Sequence, residues 1–171
     1  LPDWDRDGIE IELDSNNSKG SNYDGINDCK YTFVADFSGA TPASVYSNIA
    51  STNCTLTGVT YKAVPKSGGY IIEAKIPFAA MGPPATHSVN DFLGLDSTVN
   101  DNDSTTGGSR ETIMLLFNPD QNTVWNTPST WGNLKLLPAG AITSTTLDVK
   151  VNLQGTFSTT TNQHNNYLKT T

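Results

Sequence analysis

The chain has 171 residues, with 17 Asp or Glu against 10 Lys or Arg, for a net charge of −7 and a pI near 4.5. That balance argues against nucleic acid, whose phosphates are held chiefly by Lys and Arg, and no apolar run approaches the roughly 20 residues needed to insert into a bilayer. Only 16% of residues are charged and 36% hydrophobic, with 14 Gly and 9 Pro, a composition typical of turn-rich β domains.

Hydrophobic residues recur with period two along the chain. Ile9, Ile11 and Leu13 alternate with Glu10 and Glu12, which predicts a strand with one apolar and one acidic face. Tyr31, Phe33, Ala35 and Phe37 repeat the pattern. Val59, Tyr61 and Ala63 precede the turn sequence Pro65-Lys66-Ser67-Gly68-Gly69, and Tyr70, Ile72, Ala74 and Ile76 follow at once, so a β-hairpin with a long loop is predicted over 58–76. Pro77 ends that strand, and 78–82 is too short for more than one helical turn. Further strands are predicted over 92–99, 111–117 and 133–137. About seven short strands with no long helix between them predict an all-β chain folded as an antiparallel, jelly-roll-like β-sandwich. Around Pro138-Ala139-Gly140 the composition shifts. Residues 1–138 are therefore read as the sandwich, and 139–171 as a Thr/Ser/Asn-rich linker whose run Leu147, Val149, Val151 and Leu153 could begin a following β module.

Eight of the 17 acidic residues fall in the first 28 positions and five more between 91 and 111. Such clusters need solvent, counter-charges or cations. Asp14-Ser15-Asn16-Asn17-Ser18-Lys19-Gly20, followed by Asp24 and Asp28, sets oxygen ligands at alternate loop positions, and Ca²⁺ takes 6–8 oxygens. Asn100, Asp101 and Asp103 form a second such loop. A structural Ca²⁺ held by Asp14, Asn16, Asp24 and Asp28 or by the second loop is the expectation, with solvated acidic loops as the alternative. His87 and His164 are far apart and lack paired cysteines, which argues against a transition metal. Cys29 and Cys54 can bridge only if loop 38–57 folds back, given antiparallel pairing of 30–37 with 58–64; two buried free thiols are the other outcome. Glu10 and Glu12 share a strand face in the manner of a glycosidase pair, but no hydrolase motif surrounds them, and no G-x-S-x-G, phosphate loop or Cys/His dyad occurs. The chain is read as non-catalytic.

Several segments, in order, resemble the family 9 carbohydrate-binding modules. They are Trp4-Asp5-Arg6-Asp7-Gly8-Ile9-Glu10-Ile11-Glu12-Leu13-Asp14, then Gly69-Tyr70-Ile71-Ile72-Glu73-Ala74-Lys75-Ile76-Pro77. Gly94-Leu95-Asp96 with Val99-Asn100-Asp101 and Arg110 follows, and the last is Trp125-Asn126-Thr127-Pro128-Ser129-Thr130-Trp131-Gly132-Asn133-Leu134. The resemblance implies a calcium-containing sandwich attached to a secreted or bacterial cell-surface protein, binding a polysaccharide or oligosaccharide between two tryptophans. Trp4 and Trp125 match those positions. Both stand among polar residues, which suits exposed loops where an indole can stack on the C–H face of a sugar ring, whereas Trp131 is expected in the core.

The polar positions depart from the family. Glu10 is retained, but the next strand carries Lys30, Thr32 and Val34 where amide and Arg side chains are usual, and Asn122 can add one amide. This implies an altered sugar preference, or a structural surface domain that has lost its ligand. The resemblance further implies strands ahead of the Trp4 motif, so the sandwich is expected to be incomplete at its N-terminus and finished by another segment or another chain.

Overall fold

The computed structural model describes residues 1–46, 53–103 and 108–138. Eight strands follow one another: β1 (Gly8–Asp14), β2 (Asp28–Val34), β3 (Ser44–Val45), β4 (Thr60–Lys66), β5 (Gly69–Lys75), β6 (Phe92–Asp101), β7 (Thr112–Leu115) and β8 (Gly132–Lys135). Single 3₁₀ turns at Asp3–Asp5, Phe78–Ala80, Val124–Asn126 and Pro128–Thr130 complete the regular structure. Among the described residues no helix is long and apolar enough to cross a membrane.

All pairings are antiparallel. The larger sheet runs β3-β2-β1-β6-β7, with β8 also paired to β6, and β4 and β5 form a second sheet. The two pack face to face as a sandwich. Leu13, Tyr31, Phe33 and Leu93 of the larger sheet meet Tyr61, Ile72 and Ile76 of or just beyond the hairpin. Tyr31 stacks beside Phe33 at 6.5 Å, and Phe33 meets Tyr61 at 5.3 Å. Tyr31 also donates its hydroxyl to the carbonyl of Ala80, 2.6 Å away, which fixes the helical turn after Pro77 against the core.

Three expectations change. The hairpin loop is short: Lys66 pairs with Gly69, so Pro65 and Lys66 belong to β4 and only Ser67 and Gly68 turn the chain. Gly68 does so at φ +75°, which a β-carbon would disfavour. Strands 30–37 and 58–64 do not pair, because β2 and β4 lie in different sheets. That removes the geometric obstacle to a bridge: Cys54 comes alongside the start of β2 through a β-bridge to Met81, and Cys29 and Cys54 form a disulfide with Cα atoms 5.6 Å apart. The free-thiol alternative is excluded. The linker 139–171, with its run 147–153, lies outside the described residues.

The acidic face of β1 is not solvated. Glu10, Glu12, Asp14, Asp28, Asp96, Thr98 and Asn100 line that side of the larger sheet and are each 2% exposed or less. Segments 15–27 and 117–131 close over them. Asp96 accepts the amides of Phe117 and Asn118 at 3.0 and 2.9 Å, and Asp14 accepts those of Ser18 and Lys19 at 3.1 and 2.8 Å. Gly94 leaves the room: a β-carbon there would stand 2.8 Å from Asp14 Cβ and 3.4 Å from Lys19 Nζ.

Candidate functional site

A cleft of about 260 Å³ opens where the polar face reaches the surface. Its floor is Glu10 on β1 and Lys30 on β2, and its walls include Trp4, Trp125, Tyr46 and Arg110, with Ile113, Gln121 and Val124 between them. The register explains the floor. Glu10 lies directly opposite Thr32 and Thr98, and Lys30 opposite Glu12, so alternate residues of three strands converge beneath one opening.

The floor is a buried charge network. Lys30 Nζ donates to Glu10 Oε1 at 2.8 Å, with the two side chains 10% and 3% exposed, and Thr32 donates to the same oxygen at 3.3 Å. Arg110 Nη1 stands 3.9 Å from Glu10 Oε2 and donates to Asn100 Oδ1 at 2.9 Å and to the Trp4 carbonyl at 3.3 Å. Deeper in, Glu12 is fully enclosed and its Oε2 has no hydrogen-bond partner among the described residues. Burial, then the neighbouring Glu10 charge, hold its carboxyl well above the usual carboxylate range against the lowering effect of Lys30. Cations and a carboxylate side by side give an opening that can both donate to and accept from hydroxyl groups.

The tryptophans are carried by loops. A 3₁₀ turn after Pro2 lifts Trp4 to 48% exposure, with the Arg110 guanidinium 5.7 Å from its ring. Trp125 sits in the turn Val124–Asn126, half-buried, and donates its indole N–H to the Asn122 carbonyl at 3.0 Å. Trp131 is 3% exposed and donates to the Val124 carbonyl at 2.6 Å, a core residue that supports this loop. Lys19 Nζ ties the loop down from the other side through the carbonyls of Trp131 and Gly132, at 2.6 and 2.7 Å.

The structure thus brings Trp4, Trp125, Glu10 and Lys30 to one cleft. Thr32 is buried beneath it as a partner of Glu10. Asn122 does not line it: its amide turns to Asp120 at 3.1 Å, and the neighbouring Gln121 takes the wall. Arg110 and Tyr46 join the site. Arg110 was visible only as part of a motif, and Tyr46 stands in a stretch with no periodic signal.

Of the residues expected to hold calcium, Asp24, Asp28 and Asn16 gather near Asn27, while Asp14 spends its oxygens on the Ser18 and Lys19 amides. Asp28 Oδ1 and Asn17 Oδ1 are buried without partners among the described residues. The Asn27 amide nitrogen donates to both carboxylate oxygens of Asp24, at 3.2 and 3.0 Å. Burial, followed by the charges of Asp24 and Asp14, pushes the Asp28 carboxyl up to about 7. The second loop is split by its own strand: β6 runs through Asp101, so Asn100 is buried on the polar face as a partner of Arg110 while Asp101 and Asp103 are exposed. Among the described residues no three His, Cys, Asp or Glu side chains cluster as a metal site.

The family described as carbohydrate family 9 binding domain-like matches residues 2–139. Endo-1,4-beta-xylanase A of Thermotoga neapolitana is 31% identical over 136 residues, covering 78% of this chain and 11% of that protein. The enzyme of the same name from Thermoanaerobacterium saccharolyticum is 30% identical over 144 residues, covering 81% and 11%. The chain therefore spans 11% of the length of these relatives. Among solved structures, a family 9 carbohydrate-binding module from Caldicellulosiruptor kristjanssonii in complex with cellotriose aligns with TM-score 0.61 at 20% identity, over 82% of this chain and 64% of that one. A second structure, in complex with glucose, aligns equally well over 79% and 61%.

Proposed function

The chain belongs to the family 9 carbohydrate-binding domains, and on that premise we propose that it binds a glycan in the cleft between Trp4 and Trp125 without acting on it chemically. What carries the reading is the pairing of two accessible indoles with a floor of Glu10 and Lys30 and the Arg110 guanidinium in the wall. The indoles take the apolar C–H faces of a sugar ring. Glu10 accepts from hydroxyls, and Lys30 and Arg110 donate to them. Of the carboxylates on β1, Glu12 and Asp14 are sealed and Glu10 alone lines the cleft, with its Oε1 engaged by Lys30 and Thr32, so no acid–base pair faces a ligand in this reading. The module's role is to hold a larger secreted or surface-displayed protein on its polysaccharide, with residues 139–171 as the linker that begins after the sandwich. A glycan array carrying β-glucan and xylan oligosaccharides, followed by isothermal titration with cellotriose, tests this. Saturable binding at one site is expected; an array and a titration both blank would overturn it in favour of a structural surface domain.

We also propose that Asp24 and Asp28, with Asn16, Asn17 and Asn27, hold a structural Ca²⁺. The donor set suits it: hard oxygens from carboxylates and amides on one short loop. Asp28 Oδ1 and Asn17 Oδ1, both buried without a partner among the described residues, are oxygens that a cation would satisfy. When bound, the ion would neutralise the loop that packs against the Trp125 segment. That packing runs through Tyr23, whose amide donates to the Asn126 carbonyl at 2.8 Å, and through Ser129, whose amide donates to the Gly20 carbonyl at 2.9 Å.

A further inference from the structure

The cleft has a third aromatic wall, Tyr46, whose contacts run to the floor and to one tryptophan at once. Its ring stands 5.5 Å from the Lys30 ammonium. It meets the Trp125 ring at 5.8 Å with a 64° interplanar angle, and Tyr23 braces it from behind at 5.6 Å and 80°. The backbone is anchored as well. Tyr46 donates its amide to the Lys30 carbonyl at 2.9 Å, directly after β3 pairs Val45 with Tyr31 and Ser44 with Thr32.

We propose that Tyr46 is a positioning residue of the cleft, holding the Lys30 ammonium and the Trp125 indole in the arrangement that receives a sugar ring. The inference rests on the sugar-binding reading for its ligand, though not for its geometry. A lysine ammonium carries three donors on a flexible stem. Glu10 fixes one direction, and the negative face of the Tyr46 ring fixes a second, so the one donor left over is aimed rather than free to rotate. Trp125 has a single hydrogen bond, to the Asn122 carbonyl. The tilted contact with Tyr46 stops the indole from swinging into the space where a sugar ring would stack. The ring and the backbone amide make these contacts, and the hydroxyl makes none of them.

Tyr46→Phe and Tyr46→Ala separate this role from simple packing. Titration with cellotriose should find Tyr46→Phe within about twofold of the parent and Tyr46→Ala weaker by about tenfold or more, the scale of one cation–π and one aromatic contact. A readout free of ligand accompanies it. In a Trp4→Phe background Trp125 is the accessible indole, since Trp131 is 3% exposed, and Tyr46→Ala should raise its acrylamide quenching while Tyr46→Phe leaves it unchanged. If Tyr46→Ala does not fold, Tyr46→Leu keeps the volume without the aromatic face and serves in its place. Unchanged quenching in the Ala or Leu variant overturns the proposal, as does unchanged cellotriose affinity. A parent that does not bind cellotriose removes the sugar reading for that ligand, and the quenching comparison still decides the positioning role.

Discussion

The two faces of the larger sheet are built from the same strands and treated in opposite ways. Glu10, Glu12 and Asp14 alternate along β1 with Ile9, Ile11 and Leu13, yet the carboxylates are all sealed, while Ile9 and Ile11 remain half-buried. On β6 the same contrast sets buried Asp96, Thr98 and Asn100 against half-buried Leu95 and Val99. Period two states that a strand has two faces; it does not state which face meets water. Here loops cover the polar face because their backbone amides need acceptors, and the sheet carboxylates supply them. The result is an electrostatic interior with a narrow opening, next to an ordinary hydrophobic core behind the sheet.

If the polar face is held by charge pairing, the largest effect should come from its central pair. Lys30→Met leaves Glu10 enclosed without its 2.8 Å partner, and a broken buried pair costs about 3–5 kcal/mol. Urea denaturation measures this. A loss below about 1 kcal/mol, the scale of exposed pairs, would mean that solvent screens the floor and that the contrast between the faces is overdrawn.

The apolar face depends instead on a covalent staple. Cys29 follows Asp28 at the start of β2 on the core side, and its bridge to Cys54 spans a sequence separation of 25. Cys54→Ser combined with Cys29→Ser should lose about 2–4 kcal/mol by the same denaturation. If the bridge also steadies the polar face across the sheet, cellotriose affinity should fall in the same variant. Stability lost with affinity intact would show the two faces to be uncoupled.

At the opening, function and stability should separate. Trp4→Ala and Trp125→Ala are expected to weaken sugar binding by about 2 kcal/mol or more, as anchors at the centre of a binding surface do. The melting temperature should change little for Trp4, which is 48% exposed, and slightly more for half-buried Trp125. Variants that unfold would make these residues core and remove them from the site.

How much of this was legible depends on which physical signal each residue carries. Four of the strands announce themselves through alternation and three more as short strand-compatible runs, while Trp4 and Trp125 stand out through the family resemblance, with polar neighbours that suit exposed loops. β3 is two residues long, too short for any period, and Tyr46 follows it in a stretch of small residues. Asn122 is held by Asp120 within its own turn, a local bond that no periodicity reveals, and Gln121 lines the wall instead. Asn100 was grouped with Asp101 and Asp103 as a loop, whereas β6 extends through Asp101 and sends neighbours to opposite faces. The disulfide was obscured by an assumed pairing of β2 with β4. In each case the missing information is long-range: which segment covers which face.

The smallest expected effect tests whether the acidic loop beside the Trp125 segment depends on a cation. Burial, then the charges of Asp24 and Asp14, pushes the Asp28 carboxyl from 3.8 up to about 7. Between those values the unfolded chain has released this proton while the folded chain keeps it. The contribution to stability is therefore full below about 4 and is lost as pH rises through about 7. Calcium at Asp24 and Asp28 would stand in for the proton and cancel that loss. Melting curves in EDTA and in CaCl₂ should then coincide at pH 4 and part progressively toward pH 8. At neutral pH, calcium at ten times its Kd adds about 1.4 kcal/mol, or about 3–5 °C for a chain of this size. The Asp28→Asn variant should lose the gap between the two curves and melt near the calcium-bound parent at pH 8, because its amide needs neither proton nor ion. Curves that coincide at every pH in the parent would leave Asp24 and Asp28 as capping acceptors for the loop's own amides, with no ion in the role.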